Sequence, residues 1–323
     1  MTKHFDVFNG DADGIIALLQ LRLAEPKESV LVTGVKRDIQ LLEKLQIERP
    51  IFPGDTFTVL DISMEKNQRG LQELLAKGAI VTYADHHKSG EIPEHENLSA
   101  HIDLDPNICT ALIVDQQLQG QYHLWAITAA YGDNLIAKAD ALSEQAGLTQ
   151  EQSEQLKELG TLINYNGYGS TLDDLHYDPA DLFRQLLQYS SPFDAISDSK
   201  SPFTQLKQAY AEDMSLADAL PASYQSDKLR VYELPNTAAS RRISGVFGNL
   251  LANQNPQLAH AVLSENKEGS LTVSLRAPLL NKQGAGDICS GFATGGGRAA
   301  AAGINALPRE QIEQFIAAVE AAY

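Results

Sequence analysis

Asp11 and Asp13, Asp61, the triplet Asp85-His86-His87 and Asp133 are the residues of this sequence best equipped for chemistry. Carboxylates with one or two imidazoles and no thiolate suit manganese or magnesium better than a structural zinc. Asp61 is the natural bridge, because a carboxylate has enough lone pairs to touch two ions. Two ions about 3.5–4 Å apart would clamp a phosphoryl group and raise the acidity of a shared water. The chemistry that fits is metal-assisted hydrolysis of a phosphate ester or anhydride. Taken singly, each member has an ordinary role. Asp11 and Asp13 could cap a helix, Asp61 could serve a turn, Asp133-Asn134 could cap, and His86-His87 could be a loop pair. Asn9 to Gly14 also imitates the start of a calcium loop. There Ile15 to Leu19 are apolar where ligands are needed, and Gln20 stands where a bidentate glutamate belongs.

What separates the constellation from coincidence is the set of elements that must carry it. Short β-rich runs alternate with amphipathic helical segments, the mark of a parallel sheet with crossover helices. Strands are expected at Phe5 to Phe8, Val30 to Thr33, Phe57 to Leu60 and Ala79 to Tyr83, with helices carrying Ile15, Leu18 and Leu19, then Ile39, Leu42 and Leu45, then Leu71, Leu74 and Leu75. Helices follow near Ala111 to Leu118 and Leu124 to Tyr131, and from Ala139 to about Leu187 the chain reads as mostly helical. Asp11 and Asp13, Asp61, and Asp85 to His87 each come just after a strand. In an open parallel sheet the strand carboxyl ends face one crevice, where ligands bind. That many carboxylates in one place repel unless cations sit among them.

Beyond this unit the composition turns to serine, aspartate and proline at Ser190 to Ser201, a linker signal, followed by a helix from Pro202 to Leu220. A second unit has a strand at Leu229 to Leu234, a helix from Ser240 to Asn253, and a hairpin of Leu258 to Leu263 with Leu271 to Arg276 across Glu265 to Gly269. A glycine run, Gly295-Gly296-Gly297, lets backbone N–H groups approach an anion, and a helix beginning at Arg298 to Ala302 would add its dipole. Arg276 could reach the same pocket. Arg241-Arg242 read as surface, and Thr110 as a cap of its helix. The other histidines (His4, His95, His101, His123, His176 and His260) show no ligating spacing.

The 323 residues suffice for two domains with real cores. The expected division is a catalytic domain over 1–190, a linker and connecting helix over 191–228, and a substrate-binding domain over 229–323. A net charge of −17 argues against a long duplex groove, since duplex affinity comes largely from lysine and arginine at phosphates. It leaves room for a short anionic substrate held by metal. Cys109 and Cys289 are too few for a disulfide framework and read as ordinary small residues in a reducing compartment. The opening residues lack an apolar signal core and no stretch has the length of a membrane span, so a cytoplasmic location is expected.

The order Asp11-x-Asp13, Asp61, Asp85-His86-His87, Asp133 resembles the DHH phosphoesterase superfamily. The segment Gly295-Gly296-Gly297-Arg298-Ala299-Ala300-Ala301-Ala302-Gly303 looks like the glycine-rich motif of its DHH-associated C-terminal domain. The resemblance implies an α/β fold: an N-terminal parallel-sheet domain and a smaller C-terminal α/β domain, with the active site in the cleft between them. It implies that Asp11 binds a first metal, Asp61 bridges, and Asp13, His86 and Asp133 hold the second. His87 would lie near the scissile phosphate, Asp85 would orient the histidines, and Arg276, Gly295, Gly296, Gly297 and Arg298 would bind substrate. Asn9 to Gly14 is closer to the Asp-rich first motif of RecJ-type exonucleases than to the His-bearing motif of the small oligonucleotide phosphodiesterases. Leu159 to Asn164 also resembles a stretch of RecJ-type exonucleases; as residues alone they read as an amphipathic helix with a glycine-rich turn. Three positions depart from the patterns: Val7 stands for a histidine, Asn9 for an aspartate, and Arg298 for a histidine. Asn9 can still offer a neutral oxygen to a weakly held first metal. Arg298 can grip phosphate with a permanent charge.

The function so implied is a manganese-dependent phosphodiesterase or exonuclease-type hydrolase, oligoribonuclease-like. It would cut short single-stranded oligonucleotides or linear dinucleotides to mononucleotides, with water activated by two divalent ions attacking phosphorus in line. Magnesium or cobalt could replace manganese. The alternatives are a polyphosphate or phosphomonoester hydrolase of the same superfamily, and a catalytically impaired nucleotide-binding protein. Long duplex DNA and membranes are not expected partners; a homodimer is allowed.

Overall fold

The computed structural model describes residues 2–217, 220–266 and 268–323. It divides the chain into two units. The first comprises residues 1–167 and 171–207, the second residues 168–170 and 208–323.

In the first unit the elements run β1 (His4–Phe8), α1 (Ala12–Ala24), β2 (Val30–Val32), α2 (Leu41–Glu48), β3 (Thr56–Leu60), α3 (Gln68–Ala76), β4 (Ile80–Asp85) and β5 (Leu98–Ile102). The helices α4 (Thr110–Gln117), α5 (His123–Gly132), α6 (Ile136–Gln145), α7 (Gln150–Gly167), α8 (Pro179–Leu186) and α9 (Pro192–Ser197) follow. The sheet is wholly parallel, in the order β2-β1-β3-β4-β5. The order of connection reverses between β1 and β3, the place where doubly wound sheets open a binding crevice. On one face Phe5, Val7, Phe57, Val59, Val81 and Tyr83 pack under the leucines of α2 and α3, with Phe5 and Phe57 stacked at 4.8 Å. On the other face lie α1 and α4, with α5 and α7 packed against α1. Residues 12–20 of α1 are all buried, which explains why this helix is apolar or small on every side.

Three details differ from the expectation. β5 has no forerunner in the sequence reading: Leu98-Ser-Ala-His-Ile102 is an edge strand, half exposed along its length. It joins β4 in parallel without an intervening helix. The serine- and proline-rich stretch expected as a linker carries α9, opened by Ser191, whose side chain accepts from the Phe193 N–H. Last, α10 (Pro202–Met214) stops short of the expected Leu220; residues 218 and 219 of that expectation lie outside the described residues.

The second unit contains β6 (Tyr224–Gln225), β7 (Leu229–Leu234), α11 (Ala238–Gln254), β8 (Ala259–Glu265), β9 (Leu271–Arg276), α12 (Ala285–Ser290), β10 (Gly295–Gly297), β11 (Ala301–Leu307) and α13 (Ile312–Ala322). Its mixed sheet has the order β10-β11-β9-β8-β7-β6. The expected β8–β9 hairpin is present and antiparallel; Lys267 in its turn lies outside the described residues. One face of the sheet is apolar, with Val231, Ala261, Leu263, Val273 and Leu275 packing against Phe315 and Val319 of α13.

The helix expected at Arg298 to Ala302 is not there. Gly295–Gly297 is an edge strand paired with β11, and the chain turns at 298–300, with the Arg298 N–H donating to the Ala301 carbonyl. The glycines serve close approach. A Cβ on Gly295 would lie 1.8 Å from the Cys289 carbonyl oxygen, and Gly297 has φ +142° with Ala302 Cα 2.5 Å from any added Cβ. Only glycine fits such a crossing, so the run reports packing against α12 and β11 rather than a helix start.

Candidate metal centre

The acids expected at the sheet edge do converge, and each is placed by its local structure. Asp11 is the N-cap of α1: its Oδ1 accepts from the Gly14 N–H at 3.1 Å. Two residues on, Asp13 caps a different helix. Its two carboxylate oxygens accept from the Thr110 and Ala111 N–H groups at the start of α4, both at 2.7 Å, satisfying two donors that a helix N-terminus leaves open. Asp61 follows β3 with φ +58°, left-handed backbone that aspartate tolerates better than most residues. Such strain, held by the surrounding structure, is characteristic of ligand sites. Thr110, expected as a cap, instead donates its hydroxyl to Asp61 Oδ1 at 3.2 Å; the cap of α4 is supplied by Asp13.

The histidine pair is held by two different partners. His86 Nδ1 lies 2.7 Å from the Ile108 carbonyl oxygen. A carbonyl only accepts, so Nδ1 carries a proton, and in the neutral ring the lone pair is on Nε2. That Nε2 sits 3.4 Å from Asp61 Oδ1 and 3.6 Å from Asp13 Oδ2. His87 Nδ1 is 2.6 Å from Asp85 Oδ1. Asp85 thus orients His87, while His86 is oriented by backbone. One ligand atom from each of Asp61, His86 and His87 lies within 4.8 Å of the others.

Asp133 follows the last residue of α5 and is half-buried. Its position depends on close helix packing: a Cβ on Gly132 would meet Ala12 Cβ at 2.5 Å, and one on Gly160 of α7 would meet the Thr128 carbonyl at 2.1 Å. These contacts press α5 between α1 and α7 beside the Asp11–Asp13 turn. The Cys109 thiol, completely buried, is driven well above its ordinary value by burial and then by the charges of Asp13 and Asp133.

Sequence reasoning did not foresee Lys36. Its ammonium is paired with Asp11 Oδ2 and donates to Asn164 Oδ1 at 3.0 Å. Asn164, on α7 and 2% exposed, has a role in the centre that its helical pattern alone did not show. Asn9 is also present, 4% exposed, and its Nδ2 donates to the Lys36 carbonyl at 3.1 Å.

The electrostatics of the two neighbouring acids diverge. Burial works to raise Asp11, but the Lys36 ammonium outweighs it and holds that carboxyl well below the usual carboxylate range. Asp61 goes the other way: burial, then the charges of Asp13, Asp11 and Asp85, push it well above the usual range. Asp85 Oδ2 and Asn9 Oδ1 are buried acceptors with no hydrogen-bond partner among the described residues. A divalent cation fits this arrangement. It would relieve the repulsion at Asp61, meet the lone pair of a neutral His86 at Nε2, and find hard oxygen donors, with the neighbouring Cys109 held as a thiol by burial.

In the second unit Arg276 is buried and spends its guanidinium on neutral acceptors: Asn249 Oδ1 at 2.6 Å, Ser274 Oγ at 3.0 Å, and the carbonyls of Leu275 and Gly245 at 3.2 Å. Arg298 is half-buried in the turn after β10. Arg242, expected at the surface, pairs with Asp213 at 2.7 Å and is largely buried.

No protein-family model matches the chain, and no curated protein matches it. Solved structures are similar over 99% of its length. RecJ from Thermus thermophilus in complex with Mn2+ aligns with a TM-score of 0.65 at 18% identity, and the chain spans about half of that protein, 52%. A DHH-domain protein described as a member of the S1p family of ribosomal proteins aligns at 0.61 with 11% identity over 86% of its chain. The pGpG-specific phosphodiesterase PggH from Vibrio cholerae aligns at 0.54 with 14% identity over 98% of its chain. This chain has the DHH fold. Within that fold the acids after β1 and β3 and the histidines after β4 occupy the sheet edge that the sequence assigned to them.

Proposed function

We propose that the protein is a metal-dependent phosphoesterase that hydrolyses phosphodiester bonds of linear dinucleotides or short single-stranded oligonucleotides. The observation that carries this reading is the orientation of His86. Its Nδ1 is committed to the Ile108 carbonyl, so the lone pair on Nε2 faces Asp13 and Asp61, the tautomer a metal-ligating histidine needs. A divalent ion held by Asp13, Asp61, His86 and Asp133 would supply Lewis acidity toward a phosphoryl oxygen and toward water. Manganese suits the donors best, with magnesium or cobalt as alternatives.

The chain's own groups do the rest. Thr110 fixes the rotamer of Asp61, and Asp85 holds the Nδ1 proton of His87, leaving His87 Nε2 to meet a phosphate oxygen or a leaving group. Arg276, the Gly295–Gly297 strand and Arg298 are proposed to bind the substrate's phosphate or terminus. The preference for a dinucleotide is supported by the likeness over nearly its whole length to a pGpG-specific phosphodiesterase, and the acidic net charge of −17 disfavours long nucleic acid.

The test is hydrolysis of pGpG, of short single-stranded RNA and DNA, of polyphosphate and of a nucleoside monophosphate, each with manganese and with chelator. Turnover of the dinucleotide that disappears with chelator and in Asp61→Ala and His86→Ala is the expected result. Full activity in chelator, or in either variant, contradicts the metal reading; tight nucleotide binding without turnover under any metal removes the hydrolase.

A further inference from the structure

We infer that Lys36 is a built-in cation at the Asn9–Asp11 pole of the centre, and that this chain therefore takes one divalent ion where its motifs suggest two. The inference rests on the metal-dependent reading above and refines it.

Asp11, like Asp13, accepts from backbone N–H at a helix start, but of the two it alone also carries an ammonium. Its Oδ1 accepts from the Gly14 N–H, and its Oδ2 is paired with the Lys36 ammonium. Lys36 is not a passing surface lysine. Its backbone N–H donates to the Gly167 carbonyl at 2.8 Å, its carbonyl accepts from Asn9 Nδ2, and its ammonium also donates to Asn164 Oδ1. The turn after β2 is thereby tied to the loop after β1 and to the end of α7, and the side chain is 27% exposed.

Asn9 and Lys36 depend on each other. An amide can donate to the Lys36 carbonyl; a carboxylate cannot, and would bring a second negative charge to the same point. With asparagine at 9 and lysine at 36, this pole holds one carboxylate and one ammonium and is neutral. The other pole gathers Asp13, Asp61 and Asp85 around two imidazoles, with no lysine or arginine bonded to these three acids among the described residues. An incoming dication is attracted to the second pole and repelled by the fixed ammonium at the first. Hydrogen-bonding Asp11 and sharing the buried cluster, the ammonium does there what a second metal would do: it places a positive charge against Asp11 and fixes its orientation.

The measurement is the number of manganese ions bound per chain, by equilibrium dialysis with elemental analysis, together with the electron paramagnetic resonance of the loaded protein. The unmodified protein should bind one ion per chain and show the spectrum of an isolated ion. The double variant Asn9→Asp/Lys36→Met, checked for an intact fold by its melting curve, should gain a second ion and the broadened spectrum of a spin-coupled pair. A coupled pair in the unmodified protein, with Asn9 Oδ1 among its ligands, overturns the inference while leaving the phosphoesterase reading intact. So does a folded double variant that still binds one ion. No ion in either protein sinks both readings. The result for the unmodified protein stands by itself if the variant does not fold.

Discussion

The two units bury charge of opposite sign and balance it by different means. In the first, Asp11, Asp13, Asp61 and Asp85 lie together, all at most 4% exposed, with one ammonium against Asp11. In the second, Arg230, His260 and Arg276 sit side by side on β7, β8 and β9 in register, with no carboxylate bonded to any of them among the described residues. The acidic cluster leaves a surplus of negative charge at Asp61 that only a cation or a proton can remove. The basic row removes its surplus internally. Arg276 spreads its charge over neutral acceptors, and His260 gives up its proton: burial, then the charge of Arg230, pushes it down to about 4. A site left unbalanced is a site for a ligand of the opposite sign, whereas a charge dispersed over fixed dipoles is first of all a structural device.

The largest expected effect breaks the comparison at its acidic end. Asp61→Ala should cut turnover of the dinucleotide by about a thousandfold or more, equivalent to roughly 4 kcal/mol of transition-state stabilisation, and abolish manganese binding in dialysis. The second unit's melting should be untouched, and a variant that retains manganese affinity would remove Asp61 from the centre.

The first unit also contains a buried pair that is balanced, Asp6 with Arg22 at 2.7 Å, with His4 and Thr58 on the same guanidinium. Burial works to raise Asp6, but the Arg22 guanidinium outweighs it and holds that carboxyl well below the usual carboxylate range. Arg22→Ala should cost about 3–5 kcal/mol in denaturant unfolding, because it strands a buried carboxylate, while manganese stoichiometry per folded chain stays the same. Equal loss of metal would mean that the acidic pole is not separable from the rest of the unit.

Arg276→Lys sharpens the other end. It keeps the charge and loses the planar fork. If Arg276 holds substrate phosphate, KM should rise about tenfold with kcat little changed, the worth of one charge-assisted hydrogen bond. An unchanged KM would make Arg276 a structural cation only.

The smallest effect is a pH dependence. The folded-state value of His260 lies below its ordinary 6.5, so the unfolded chain takes up that proton first. The stability it contributes is present above the ordinary value and is lost as pH falls from 6.5 toward about 4. After allowance for screening the loss is on the order of 1–2 kcal/mol, read as a falling melting temperature that His260→Phe should flatten. A slope retained in His260→Phe would assign it to other groups.

Apart from Asp133, which follows α5, the parts of the centre legible in the sequence share one property: they follow strands. Asp11, Asp61 and His86 could be placed at a common edge because a parallel sheet aligns its carboxyl ends whatever the rest of the chain does. Lys36 also follows a strand, β2, but a lone lysine there gives no sign of its partner, and Asn164 lies within a helix. They lie 128 positions apart and meet Asp11 only through the turn after β2 and the packing of α7 against α1 and α5. β5 went unread although Leu98, Ala100 and Ile102 alternate with Ser99 and His101, because it joins β4 without the helix that ordinarily separates parallel neighbours. The Arg298 helix failed for another reason. A glycine run is compatible both with an anion-binding loop and with a tight strand crossing, and the neighbouring Cys289 and Ala302 decided for the crossing.

By itself the sequence determined the class of fold and the edge of the sheet where the acids gather, since hydrophobic period and side-chain donor type are local properties. Which histidine nitrogen faces the acids, which carboxylate is already neutralised and which arginine is spent on neutral acceptors were decided only in three dimensions. Those outcomes depend on distances of a few ångströms between segments that the chain order keeps apart.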